Sequence, residues 1–366
     1  MPIDMHAHWV PSRLISESAA GRDWYGWRIL HDQSGAEYIA IGDRVVRLGV
    51  SKGTLTDPKA RAAAREADGV RFEALMLLGS FWNDHLDEAD AVRCSRELNE
   101  EVAAVQSALP ERFCGMAVLP MQHQKAALRE LDYACEHLGL RTIATATNVR
   151  GLNLDEPAVL PVLEAAAARN LSICVHPPVW DKAGDDRFPR YHFKNSFGAP
   201  LESSLAAMSI VYSGLLDRHP DLRIMFTQGG GPIHFGIGRL DHRYRQRADA
   251  RPMAHPPADY LKHMYFDCLV HDEDSLALLA KRAGTNRILA GTDFPATGDI
   301  PGGAMRWIGK SALFTDADKE KILWRNALDF LGVEKAGPYT RSMGTAPASS
   351  PDARSNRVSA VQGLRN

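Results

Sequence analysis

The sequence predicts an α/β protein folded as a single (β/α)8 barrel of the TIM type, and three observations carry that reading. Eight short apolar runs rich in β-formers recur along the chain. Longer helical patterns separate them from residue 74 onward. The length of 366 residues suits one large barrel with insertions. Each run is nearly continuous in apolar residues, as strands buried on both faces are.

The first strand spans residues 3–8. About fifty residues then pass before the next helix. Within them, residues 37–48 read as a hairpin that turns at Gly42-Asp43. This hairpin makes a small insertion after strand one, about residues 24–55, over the C-terminal mouth of the barrel. The later strands are expected at residues 74–80, 113–120, 141–148, 171–177, 222–228, 264–270 and 287–295. Helices are expected at residues 87–109, 156–169, 201–216 and 272–282. Asp155 would cap the second of these, with Pro157 in its first turn. Residues 179–199 form a second long loop at the mouth. Residues 1–335 thus make one domain. From Ala336 the chain is rich in Ser, Ala, Gly, Pro and Arg without periodicity, which predicts a disordered tail over residues 336–366.

Composition narrows the classes of function. Hydrophobic residues are 45% and charged residues 24%, as in ordinary soluble proteins. A formal net charge of −2 offers no basic surface for nucleic acid or an anionic membrane. No run approaches transmembrane length, and no signal peptide is visible. The five cysteines, Cys94, Cys114, Cys135, Cys174 and Cys268, have no C-x-x-C spacing. They read as reduced thiols of a cytoplasmic protein.

The chemistry-bearing residues fall at strand ends. In Asp4-Met5-His6-Ala7-His8, the two histidines lie two residues apart. Residues i and i+2 of a strand face the same side, so both imidazoles can aim at one point. Strand five ends at His176, strand six at Gln228 and strand eight at Asp293. Active sites of such barrels sit at the C-terminal strand ends. Three imidazoles and one carboxylate there make a set of ligands for one divalent ion. Taken singly, each residue has a plainer reading. An isolated H-x-H can simply hydrogen-bond, His176 can close a strand, and Asp293 can begin a turn before Phe294-Pro295. Their common placement favours the metal site. Trp9, Phe81, Trp82, Trp180 and Phe294 lie on segments near the mouth and suit either ring stacking or the core.

Further motifs run in order over about residues 3–333. They are Asp4-Met5-His6-Ala7-His8, the segment 111–120, Thr147-Asn148-Val149 with Gly151-Leu152, and Val175-His176-Pro177. Then come the segment 212–222, Gly229-Gly230-Gly231, Gly238-Arg239-Leu240-Asp241-His242 and Gly291-Thr292-Asp293-Phe294-Pro295. Together they resemble the amidohydrolase superfamily. Within it they resemble the 2-amino-3-carboxymuconate 6-semialdehyde decarboxylase branch, which also holds resorcylate and carboxyvanillate decarboxylases and some hydratases.

The resemblance implies a metal-dependent, non-oxidative decarboxylase in aromatic compound catabolism, acting on an aromatic or dienoic carboxylic acid. It implies one divalent ion, zinc first and manganese second. Residues 141–148 on strand four carry no lysine of the kind that bridges two ions in binuclear barrels. Asp293 would bind the ion and relay a proton, while His176 would bind and orient. The resemblance also implies a homodimer and a small-molecule carboxylate substrate. Arg239, by direct motif match and from the neighbouring subunit, and Arg47, by region on the insertion, would grip that carboxylate. The plainer readings are an Arg239–Asp241 ion pair and a solvated Arg47.

One departure stands out. The family pattern before the glycines is Ser-His-Gly-Gly-Gly, whereas this chain has Thr227-Gln228-Gly229-Gly230-Gly231. A glutamine can position water or substrate but cannot accept a proton at neutral pH. His234, on the first turn of the next helix, is either a substitute base or a packing residue. Two rival functions follow. One is a hydrolase or hydratase in which activated water attacks an amide, lactone or ring-cleavage product. The other is a metal-binding homologue left inactive by Gln228.

Overall fold

The computed structural model describes residues 2–47, 56–296, 300 and 303–332. Its strands in chain order are β1 (Ile3–Trp9), β2 (Trp27–His31), β3 (Glu37–Ile41), β4 (Arg44–Arg47), β5 (Phe72–Leu77), β6 (Phe113–Val118), β7 (Thr142–Ala146), β8 (Asn148–Val149), β9 (Leu152–Asn153), β10 (Ser172–His176), β11 (Arg223–Phe226), β12 (Tyr265–Asp267) and β13 (Ile288–Leu289). Eight of these form one parallel sheet in the order β1-β5-β6-β7-β10-β11-β12-β13. Every barrel strand is buried along almost its whole length, which explains the unbroken apolar runs.

The segment after β13 closes the barrel. Ala290 O accepts from Met5 N at 2.9 Å, Asp293 N donates to His6 O at 2.7 Å, and Ala7 bridges Phe294. The eighth strand is therefore much shorter than the run 287–295 suggests. Asp293 takes a positive φ of 57°, which ends regular pairing. Aspartate tolerates this conformation better than most side chains.

The helices around the barrel include α1 (Ser12–Ala19), α2 (Pro58–Ala67), α3 (Glu88–Ala108), α4 (Gln124–Glu136), α5 (Leu160–Ala168), α6 (Ala199–Tyr212), α7 (Leu215–Arg218), α8 (Ile233–Gln246), α9 (Pro257–Tyr260) and α10 (Glu273–Ala283). One of them, α1, corrects the expected helix-free stretch of about fifty residues after strand one, whereas α2 begins where that stretch was expected to end. Helix α1 follows β1 almost at once and buries only Leu14, too little apolar surface to show a period. Helix α2 is capped by the Asp57 side chain and starts with Pro58. Helix α5 begins at Leu160, four residues later than expected. Pro161 lacks an N–H and fits only the first turn of a helix. Asp155 therefore caps nothing here, and the α5 N-terminus has no side-chain cap.

The insertion is a three-stranded antiparallel sheet, β2-β3-β4, rather than a hairpin alone. Residues 42–43 make the expected turn between β3 and β4. The buried Trp27 anchors the sheet through Nε1, which donates to Ser80 O at 3.1 Å. Across the mouth, Arg44 pairs with Asp181 through bonds of 2.6 and 3.0 Å. The insertion thus grips the second long loop. Residues 48–55 of the insertion and the tail expected over 336–366 lie outside the described residues. All five cysteines are buried and free, as expected. Among the described residues, no helix is long and apolar enough to cross a membrane.

Candidate metal centre

His6 and His8 stand at the end of β1, His176 at the end of β10, and Asp293 just past β13. One ligand atom from each lies within 4.8 Å of every other. His6 Nε2 is 3.1 Å from His8 Nε2 and 3.4 Å from Asp293 Oδ1, and His8 Nε2 is 2.9 Å from the same oxygen. Ligands about 2.1 Å from one ion in a tetrahedral shell would be about 3.4 Å apart. The three rings meet edge to face with centroids 4.7–5.1 Å apart.

Each ring is oriented through its other nitrogen. His6 Nδ1 donates to Asp267 Oδ2 at 2.6 Å, His8 Nδ1 lies 3.3 Å from Leu77 O, and His176 Nδ1 donates to Pro177 O at 2.7 Å. Such partners fix the tautomer and turn Nε2 towards the ion. Gly291 makes room for this packing, since a Cβ there would come within 2.7 Å of the His6 Cβ.

Burial and the two carboxylates set the electrostatics of the cluster. Burial alone would pull the His6 imidazolium down, but the Asp293 and Asp267 carboxylates outweigh it and push the group up to about 10. Burial keeps His8 and His176 below the ordinary histidine value. It also opposes charge on Asp293, yet His6 and His8 hold that carboxyl well below the usual carboxylate range. Three nitrogens and one carboxylate oxygen fit a divalent ion of the zinc or manganese kind.

The amidohydrolase family model matches residues 3–333. The chain belongs to this family. It is 34% identical over 342 residues to the 2-amino-3-carboxymuconate-6-semialdehyde decarboxylase of Dictyostelium discoideum, across 91% of this chain and 92% of that protein. The 5-carboxyvanillate decarboxylase of Sphingomonas paucimobilis superposes with a TM-score of 0.76 at 22% identity, over 90% of this chain and 98% of that one. The dihydroxybenzoic acid decarboxylase of Polaromonas sp., solved with manganese and 2-nitroresorcinol, gives 0.74 at 21% identity, over 92% and 98%.

Other residues of this amidohydrolase fall at varied distances from the cluster. Gln228 opens a 3-10 turn, Gln228–Gly230, with a positive φ of 57°. Its backbone N–H donates to Asp267 Oδ2 at 2.8 Å, the oxygen that also holds His6. Its side-chain Oε1 is buried with no partner. His234 is buried, and its Nε2 lies 2.8 Å from Gly229 O. Its ring packs edge to face on Phe266 at 4.8 Å. That is a packing role. Arg47 and Arg239 are both exposed, and among the described residues neither forms an ion pair. Asp241 accepts from Ala258 N instead of meeting Arg239. Among the described residues, neither guanidinium makes an ion pair with Asp293, the carboxylate of the cluster. Trp9 and Phe81 are core residues, whereas Trp180 and Phe294 remain partly exposed.

Asp267 is a functional residue missed in the sequence. It accepts from His6, Gln228 N, Gly229 N and Leu269 N. The available signal was a lone carboxylate in the apolar run 264–270, because a buried charge needs partners.

Proposed function

We propose that this amidohydrolase is a metal-dependent, non-oxidative decarboxylase of a small aromatic or dienoic carboxylic acid. The observation that carries the reading is the convergence of His6, His8, His176 and Asp293 at the barrel mouth. The relatives named above share that class of reaction. These four side chains would hold one divalent ion, zinc or manganese. Strand β7 offers no lysine for a second. A bound ion would supply Lewis-acid polarisation of substrate oxygens.

The chain's own groups account for the rest. In decarboxylation the bond to the carboxyl carbon breaks, CO2 leaves, and the electron pair stays on the ring or diene carbon. That carbon then needs one proton. Asp293, partly exposed at the cluster, would take a proton from substrate or water and deliver it to this carbon. His176 would orient the acid from the opposite strand end. Gln228 Oε1, buried and unpartnered, would accept a hydrogen bond from substrate or water.

We also propose a homodimer in which Arg239 completes the partner's site. Phe235, 85% exposed, and Arg239 lie four residues apart on the outer face of α8. A large apolar side chain so placed fits an interface between copies. The partner would then supply a guanidinium to the substrate carboxylate.

The test is elemental analysis combined with CO2 release from hydroxybenzoates and 2-amino-3-carboxymuconate 6-semialdehyde. One equivalent of metal, lost in a His6→Ala, His8→Ala double variant, and CO2 from at least one of these acids are expected. Two equivalents, or metal binding that survives the double variant, would overturn the ligand set. Absence of CO2 from every acid would overturn the reaction.

A further inference from the structure

A small cavity of about 20 Å3, room for one water-sized group, lies at the mouth on the side of β5, β6 and β7. Ala146 in its wall is paired in register with His176. Gly79, three residues before Trp82, is so close to His176 that a Cβ there would lie 3.2 Å from Nδ1. The cavity therefore adjoins the metal cluster. Most of its wall is apolar, including Leu119, Met121 and Val149.

Two polar atoms in this wall have no partner. Trp82 Nε1 and Gln122 Oε1 are both buried and make no hydrogen bond. Burying such groups unpaired is costly, and most are satisfied in folded proteins. Gln122 is not free to turn away. Its Nε2 donates to Asn83 O at 2.8 Å and to Leu86 O at 3.3 Å, which fixes the amide. Asn83 is held in turn by Ser95 Oγ at 2.7 Å and Ala91 O at 3.3 Å. Two residues of the wall thus carry one fixed acceptor and one indole donor, both without a partner in the protein.

Charge decides what the pair can take. Among the described residues no Lys, Arg or His lines this cavity. Its one charged side chain is Asp84, whose carboxyl is pushed up by burial. A second carboxylate would find no cation here and would meet Asp84. A hydroxyl fits, because it accepts from the indole N–H and donates to the amide oxygen.

We propose that this cavity is a hydroxyl-binding subsite. It receives an uncharged hydroxyl or enol on the far end of a planar acid whose carboxylate faces the metal cluster, and Trp82 and Gln122 select for that group. The assignment rests on the decarboxylase reading above for the kind of molecule that enters. A site built to hydrogen-bond a hydroxyl discriminates strongly against the analogue without it.

The experiment uses the metal-loaded enzyme. Dissociation constants are measured by calorimetry for 2-hydroxybenzoate and for the 2,3-, 2,4-, 2,5- and 2,6-dihydroxybenzoates, with CO2 release followed separately. At least one dihydroxy isomer should bind about tenfold more tightly than 2-hydroxybenzoate, as expected for one or two neutral hydrogen bonds. Trp82→Phe and Gln122→Met should each reduce that gain to about threefold or less. Affinity for 2-hydroxybenzoate should stay within about twofold, which also reports an intact fold. If Trp82→Phe fails to fold, Gln122→Met alone decides. No gain with any isomer, or a gain that survives in the folded variants, overturns the subsite. A gain lost in the variants without CO2 from any acid keeps the subsite and overturns the decarboxylase reading instead.

Discussion

The Arg65 guanidinium lies 4.2 Å from the centre of the Phe294 ring, and it donates to Asp4 Oδ2 and Thr292 Oγ1, each at 3.1 Å. Asp4 is two residues before His6, and Thr292 immediately precedes Asp293. Asp4 Oδ1 also accepts from His6 N and Thr292 N. One turn earlier on α2, Arg61 donates to His8 O at 2.8 Å and pairs with Glu73. Helix α2 therefore braces the backbone on both sides of the ligand set.

Arg65→Met should be strongly destabilising, because it leaves Asp4 and Glu73 buried without that partner. Removing one member of a buried pair costs about 3–5 kcal/mol. Denaturant unfolding checks this. Arg65→Lys should restore only part of the loss, since an ammonium lacks the planar fork and the stacking face.

What the sequence disclosed follows from what each element must bury. The β1 ligands were legible because two histidines in an apolar strand share a face. His176 and Asp293 were legible as polar residues at the ends of apolar runs. The α2 brace was not, since Arg61 and Arg65 stand in an alanine-rich helix with no apolar stripe, and their partners are up to 227 residues away. The short β12 and β13 were overestimated for a related reason. Apolar residues continue past Asp267 and Leu289, yet the chain there leaves the ladder, first to satisfy Asp267 and then to place Asp293. The carboxylate-gripping roles that the resemblance implies for Arg47 and Arg239 leave no trace in the packing of one chain.

Asp267→Asn should weaken metal binding about 10- to 100-fold, as loss of a carboxylate behind a ligating histidine does. The His6 ring would lose its charged acceptor, and the bonds from Gln228 N and Gly229 N would weaken with it. Competition against a chelator measures the dissociation constant. An unchanged constant would mean that the His6 tautomer is held by something other than this carboxylate.

His234 should leave a mark on stability against pH. Burial pushes its imidazole down to about 4 from an ordinary 6.5. Below pH 6.5 the unfolded chain binds a proton that the folded chain refuses, so stability falls as pH drops from about 6.5 to about 4. The whole contribution amounts to about 3 kcal/mol. Melting temperatures of wild type and His234→Gln across this range should show a shallower fall in the variant. An identical fall would mean that the ring is not buried in its neutral form.

Gln228→Ala separates two roles for the amide. The backbone of residue 228 holds Asp267 through its N–H, and alanine keeps that bond, so metal content should not change. The side-chain Oε1 has no partner in the protein, so its removal leaves no group of the chain unsatisfied. If the amide only positions water or substrate, the variant loses one ordinary hydrogen bond, about 0.5–1.5 kcal/mol, or about tenfold in kcat/KM at most. Decarboxylation would tolerate such a loss, because it needs a proton for carbon, the role proposed for Asp293, and no deprotonated water. A hydrolase would depend far more on a base at this position. Gln228→His would place a proton acceptor at residue 228 and should raise any hydrolytic side activity more than decarboxylation. Kinetics of both variants on the same acid decide the matter. A loss of about 10³ or more in Gln228→Ala with metal still bound would make the amide a donor to the transition state, of the kind found in oxyanion holes, rather than a positioning group.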